Sequence, residues 1–476
     1  METFDVKSLR TAPNQWLQRM KKKVVISHRF QQAVNQGLRW HLDFPSLERP
    51  PWLNQNGWVV QGWVLLPDSL IECHDDVKVI ARWSPIYELC HPLSLDRPDV
   101  IETVLEEDPA VHPQLCCGFR FTVPRHLATC TLELSVNGER ISLPEANMPE
   151  LTDSGDVEQP PLKVLEGKAG WLFLDNDTNG SVDQYRGRLL LTDKGVEGWR
   201  SYLSAFHALA ERHAARHALL VAPSKESVMG PRYHPYEEGI SGPIHQLLSV
   251  PEASNFVYPV EALKALGDDA FIQTDTHWAS KGAMVAGKAL LHKLELDDAD
   301  VERVFANDDY QSRTIPGDLG SKFSPARACQ TSVMCSFNYN KHRHFDNGLP
   351  NFGRLILINY QEALIPSTCL VFGSSSSYFL LSYLSRLFTH VVFAHTAGNL
   401  DPELVAAVKP QYLVVQTNAR FVVQVPKANQ ALKDLIEEKR TRLTIEEREA
   451  ADKRKVLAAK DDETIAALGL SAWVEL

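Results

Sequence analysis

Short unbroken apolar runs set the first limit on this chain: residues 217–222 (HALLVA), 355–358 (LILI), 368–372 (TCLVF), 390–394 (HVVFA) and 412–416 (YLVVQ). A run of this length without polar alternation suits a strand buried on both faces, which requires parallel neighbours and helices above and below. Helical patterns lie between the runs. Leu203, Phe206, Leu209 and Ala210 share one face within residues 192–216, and a second pattern covers 378–387. Strand and helix in alternation predict an α/β domain built on a doubly wound, flavodoxin-like parallel sheet. Ligands of such sheets bind beyond the carboxyl ends of the strands. Pro223-Ser224-Lys225, Asp275 with His277 in FIQTDTHWAS (271–280), and Ser375 in TCLVFGSSSSYFL (368–380) would all project there.

These residue types suit acyl transfer. A serine hydroxyl is a weak nucleophile until a base takes its proton, and the base must be held in one tautomer by a third group. His277 would be the base, Asp275 its orienter and Ser375 the nucleophile, with Ser374 and Ser376 as alternatives for the last role. Backbone N–H groups after Gly373 would face the developing oxyanion. Each half also has an ordinary reading, since D-x-H pairs are usually incidental and serines after a glycine usually cap a helix. Lys225 would orient a substrate oxygen, or else anchor its loop by pairing with a carboxylate. Trp278 would wall the site or stack on a sugar, or else pack beneath the loop. Asp318 reads as a turn or cap residue, and Arg420 as structural.

The motifs VLEGKAGWLFL (164–174), VAPSKESV (221–228), DTHW (275–278), GDL (317–319) and VFGSSS (371–376) occur in that order. Together they resemble the SGNH-hydrolase-like acetyltransferases of the alginate O-acetyltransferase (AlgX/AlgJ) family, over roughly residues 161–426. The resemblance implies an SGNH-like domain in which the aspartate and histidine precede the serine, as Asp275 and His277 precede Ser375. It departs from the family's G/H-D-S-F at Ser374 and Ser376, and from its E-R-F at Ala419. It implies a carbohydrate O-acetyltransferase of cell-surface polysaccharide, working through a covalent acyl-serine. The alternatives are an SGNH-type acetylesterase and a catalytically degenerate glycan-binding or scaffold protein. The expected partners are a glycan and polysaccharide-biosynthesis proteins. No bound cofactor is expected, and the acyl donor would be acetyl-CoA or an acylated partner protein, although no glycine-rich phosphate cradle is visible.

A length of 476 residues suggests two or three domains. Residues 1–38 read as an N-terminal arm whose lysines 21–23 could meet an anionic surface. Residues 39–149 carry short β-rich runs, at 57–66, 77–83, 87–91, 118–123, 129–136 and 139–143, and predict a β-sandwich serving as a glycan-binding or docking module. Asn137-Gly138 is a hairpin signal. Trp58, Trp63, Trp83 and Tyr87 would be stacking faces or core residues. Residues 150–162 read as a linker, 163–426 as the catalytic domain and 427–476 as a helical extension. The formal charge of −11 disfavours a nucleic-acid partner. The first thirty residues lack a signal-peptide core and no stretch reaches the ~20 apolar residues of a membrane span, so a cytoplasmic protein, at most peripheral to the inner membrane, is expected. Eight cysteines without a C-x-x-C pair are expected as free thiols, with no metal site.

Overall fold

A computed structural model of the chain describes residues 37–46, 52–54, 56–148 and 163–475. The lysines at 21–23 and the linker at 150–162 fall outside the described residues. The chain divides into two units, the first comprising Met1–Ser84 and Glu88–Pro161, the second Pro85–Tyr87 and Leu162–Leu476.

The first unit is built from antiparallel strands. In one sheet β1 (Arg39–Phe44) and β2 (Leu53–Asn54) flank β3 (Gly57–Leu65), which also pairs with β6 (Gly118–Val123). In the other, β4 (Lys78–Arg82) lies between β5 (Tyr87–Pro92) and β7 (Thr129–Val136), and β8 (Glu139–Asn147) pairs with β7. The β7–β8 hairpin turns at Asn137 and Gly138, both with positive φ (51° and 79°), as the Asn-Gly pair demands. Side chains at every second position of β3, β4, β6 and β7 meet in one core that includes Val60, Val79, Phe121 and Leu134. Trp58 is 5% exposed in that core, and its indole Nε1–H donates to the Arg125 carbonyl. It is a packing residue, not a stacking face.

The second unit begins with the hairpin β9 (Val164–Glu166) and β10 (Leu172–Leu174), then β11 (Leu189–Leu191). Its main sheet has seven strands, from β12 (Arg216–Ala222) and β13 (Phe256–Val257) through β16 (Arg343–Asp346), β17 (Leu355–Asn359), β18 (Ile365–Gly373) and β19 (Phe388–His395) to β20 (Tyr412–Asn418). A separate antiparallel pair joins β14 (Tyr310–Ile315) to β15 (Cys329–Met334). The order across the main sheet is β13-β12-β20-β18-β19-β17-β16. The first five are parallel, and β17 and β16 run against their neighbours.

Both faces of this sheet are covered, which is why its strands read as unbroken apolar runs. Leu220, Val371 and Val414 point to a core with the helices Ser280–Lys293 and Ser377–Leu387. Leu219, Phe372 and Val415 point the other way, to Trp199 and Phe206 of Asp193–Arg212 and Leu404 of Pro402–Val408. Leu432, Ile436, Ile465 and Trp473 are buried in that second core, so the residues after 426 are integral to this unit. No helix among the described residues is long and apolar enough to cross a membrane.

Candidate active site

Because β12, β20, β18 and β19 are parallel and adjacent, their carboxyl ends share one edge. Ala222, Asn418, Gly373 and His395 stand there side by side. The turn after β18 is tight. A Cβ on Gly373 would lie 2.2 Å from Ser377 Oγ and 2.8 Å from a Phe393 ring carbon, so only glycine lets the chain leave the strand and enter the helix at once.

The serine run divides its work. Ser374 N–H and Oγ–H donate to Gln416 Oε1, at 3.0 and 2.8 Å. Ser377 Oγ–H donates to the same oxygen at 2.7 Å, and Ser376 Oγ–H to Asn418 Oδ1 at 2.9 Å. Only Ser375 turns outward. Its Oγ lies 2.8 Å from His277 Nε2, and His277 Nδ1 lies 2.7 Å from Asp275 Oδ1. An alcohol, an imidazole and a carboxylate thus form one hydrogen-bonded row. The hydroxyls of Ser374 and Ser376, the two alternatives, are committed elsewhere.

The turn at 271–278 presents His277 by closing on itself. Ile272 N–H donates to the His277 carbonyl, Asp275 N–H to the Ile272 carbonyl, and Ala279 N–H to the Ala270 carbonyl. Asp275 is held from three sides: its Oδ1 also accepts from His277 N–H at 2.8 Å, and its Oδ2 from Asp318 N–H at 2.8 Å. Burial pushes the Asp275 carboxyl up, but the hydrogen bond and charge of His277 and the N–H donors outweigh it and hold the group below the usual aspartate range. Asp318 is more than a turn residue. Its carboxylate accepts from Thr276 N–H at 2.7 Å and from the Thr276 hydroxyl, and it stands 3.7 Å from His277 Nδ1. Asp275, His277 and Asp318 bring three ligand-type atoms within 4.8 Å, but the bonds just described already occupy the carboxylates in bracing the loop and the imidazole.

Lys225 anchors its loop, but through backbone carbonyls and not by pairing with a carboxylate. It is 3% exposed and donates to four backbone carbonyls, those of Leu172, Ile272, Gln273 and Asp275, at 2.7–2.9 Å. Burial pushes the amine down to about 7, while the carbonyl cage favours the ammonium, the form with three N–H donors. Lys225 therefore ties the 271–278 turn to β10 and touches neither a carboxylate nor the serine. Trp278 is 1% exposed, and its indole N–H donates to the Ser376 carbonyl at 3.1 Å. It packs beneath the turn and fastens it to the serine corner, so it offers no face to a sugar.

Three groups at this edge are not apparent from the sequence. Gln416 anchors the serines. Asn418, 7% exposed, accepts through Oδ1 from Ser376 and from Gln416 Nε2, which turns its NH2 away from them, and it lines a narrow cleft with His277, Ser376 and Arg420. His395 is the third. It shares with Ser374, Ser375, Phe352, Phe421 and Gln424 a cavity of about 530 Å³. Among the described residues, the backbone N–H groups of Ser375 and Ser376 meet no acceptor.

Fold and geometry define an α/β protein with a serine, a histidine and an aspartate in a row at the carboxyl edge of its sheet. No protein-family model and no curated protein matches the sequence. Among solved structures, the chain is similar to the O-acetyltransferase domain of Pseudomonas putida AlgJ (20% identity, 59% of this chain and 99% of that one, TM-score 0.32). It is also similar to Bacillus cereus PatB1 with a sulfonyl adduct (11%, 56% and 100%, TM-score 0.40) and to Pseudomonas aeruginosa AlgX (13%, 58% and 67%, TM-score 0.31). AlgJ and AlgX are the proteins for which the family resembled by the ordered motifs is named.

Proposed function

We propose that this chain is a carbohydrate O-acetyltransferase of the SGNH type that carries its acyl group on Ser375. The single observation behind this reading is the row Ser375 Oγ–His277 Nε2, His277 Nδ1–Asp275 Oδ1, at 2.8 and 2.7 Å. These separations are within hydrogen-bond reach for proton transfer. In the first half-reaction His277 Nε2 takes the Ser375 proton as Oγ bonds to the acyl carbonyl carbon. The tetrahedral intermediate then expels the donor's leaving group, which receives that proton. In the second half-reaction a sugar hydroxyl gives its proton to Nε2 and attacks the acyl-serine, and Oγ leaves as the proton returns to it. Asp275 keeps Nδ1 protonated and balances the imidazolium. The free N–H groups of Ser375 and Ser376 and the NH2 of Asn418 are the groups available to the oxyanion.

The cavity of about 530 Å³ beside Ser375 has room for a sugar, as the acyl acceptor of a transferase or as the ester substrate of the acetylesterase alternative, and product analysis with and without glycan separates the two. The binding-only alternative is motivated by Ser374 standing where the family has aspartate and by the β-rich module. Against the first, Gln416 holds Ser374 through its N–H and its hydroxyl. For the donor we retain acetyl-CoA or an acylated partner protein. The test is acetylation of the whole protein by p-nitrophenyl acetate followed by peptide mass spectrometry. An acetyl group on Ser375, absent in Ser375→Ala and His277→Ala, is expected and should pass to an oligosaccharide when one is added. Steady activity in His277→Ala would sink the reading.

A further inference from the structure

His395 ends β19 opposite Gly373, and it takes no part in the row of Ser375, His277 and Asp275. Its side chain is nonetheless prepared with care. It is 4% exposed and lines the cavity that Ser375 also lines. Its Nδ1 lies 3.1 Å from the Tyr378 hydroxyl, on the helix that starts just after the nucleophile. The Arg354 guanidinium sits over the Tyr378 ring, 5.2 Å from its centroid. Arg354 in turn is fixed by Asp346, with Nε and Nη2 donating at 3.1 and 2.7 Å, and Asp346 is wholly buried.

The Tyr378 contact selects the tautomer. Among the described residues His395 Nδ1 is the hydrogen-bond partner within reach of the Tyr378 hydroxyl, and a phenol O–H is a better donor than its oxygen is an acceptor, so Tyr378 donates to Nδ1. An accepting Nδ1 leaves the ring proton on Nε2, at the edge of the imidazole that has no partner among the described residues. We propose that His395 Nε2–H is a fixed hydrogen-bond donor for the acyl acceptor, binding a hydroxyl or ring oxygen of a sugar seated in this cavity with Phe352, 45% exposed, as the apolar face beside it. This rests on the acyl-serine reading above and extends it to the acceptor. Burial pushes the imidazole down to about 3, and the charges of Arg354 and His277 act in the same direction. The ring therefore stays neutral at working pH and does not compete with His277 for the proton.

Two measurements on the full chain decide the proposal. Nitrogen-15 NMR of the histidine side chains should show His395 as the Nε2–H tautomer from neutral pH down to about pH 4, and mixed tautomers in Tyr378→Phe. A neutral Nδ1–H tautomer in the wild type would overturn it. Separately, acetyl-Ser375 formed with p-nitrophenyl acetate should be partitioned between water and added chitotriose or trigalacturonate. In His395→Phe and the milder His395→Gln, the ratio of transfer to sugar over hydrolysis of the preformed acetyl-Ser375 should fall roughly 10-fold whatever the size of the acylation burst, the effect expected of one lost hydrogen bond. An unchanged ratio refutes the role of His395 and leaves the acyl-serine standing. A burst whose acyl group reaches neither sugar in the wild type rejects the cavity as an acceptor site. Absence of a wild-type burst removes the acyl-serine and this proposal with it.

Discussion

At the scale of single residues, the decisive property is commitment: of four consecutive serines, three spend their hydroxyls on Gln416 and Asn418, and one faces the imidazole. Ser375→Ala and His277→Ala should each lower acyl transfer by about 10⁴-fold while Ser376→Ala costs far less, as steady-state rates with p-nitrophenyl acetate would reveal. Asp275→Asn should cost about 10³- to 10⁴-fold, because the imidazole loses its orienter. The pH dependence follows from the lowered Asp275 carboxyl. Unfolded aspartate takes up a proton near ~3.9, whereas the folded group holds out to lower pH. Its stabilising contribution is therefore full above ~4 and declines as pH falls through the native value. The difference in melting temperature between the wild type and Asp275→Asn should be constant at neutral pH and shrink below about pH 4. A difference that instead grew in acid would contradict the assignment.

At the scale of elements, two supports hold the site, and neither touches its chemistry. Lys225 caps four carbonyls of the β10 strand and the 271–278 turn. Lys225→Met would remove this donor from all four carbonyls, of which Ile272 and Gln273 keep only the backbone N–H groups of Asp275 and Leu172, and loss of roughly 3 kcal/mol is expected from buried groups left under-satisfied, measurable by denaturant titration. Gln416 is the other support. Gln416→Leu should cost about 2–4 kcal/mol by stranding the Ser374 and Ser377 donors, and it should lower kcat more than it raises KM, since the serine corner loosens. Gln416→Glu keeps the acceptor oxygens and should retain most activity. The pairing of Asp275 with His277 and the glycine-to-serine corner are legible in the sequence because each depends on neighbours two to four residues away. Gln416, Asn418 and His395 are not. They end other strands, and only the parallel register of β18 with β19 and β20 sets them beside Ser375.

At the scale of the whole molecule, the second unit depends on its last fifty residues. Leu432, Ile436, Ile465 and Trp473 enter the same core as Leu357, Phe372 and Leu404. Each such buried side chain is worth about 2 kcal/mol, against a typical total of ~5–15 kcal/mol for a domain. Truncation after Pro426 should therefore yield insoluble or unfolded protein, as soluble yield and circular dichroism would show. A truncated chain with native melting behaviour would refute this account.

The sequence by itself determined that the chain holds β-rich and α/β segments, that the α/β segment carries strands buried on both faces, and where a histidine, an aspartate and a serine could lie at its edge. Those features follow from hydrophobic period, turn chemistry and short spacings, all of which are local. Tertiary structure alone decided which serine faces the imidazole and that Lys225 and Trp278 spend their polar groups on bracing the loop. It also decided that His395 joins the cavity. These outcomes depend on which buried donors and acceptors find one another across strands tens of residues apart, and in a low-dielectric interior each must be satisfied.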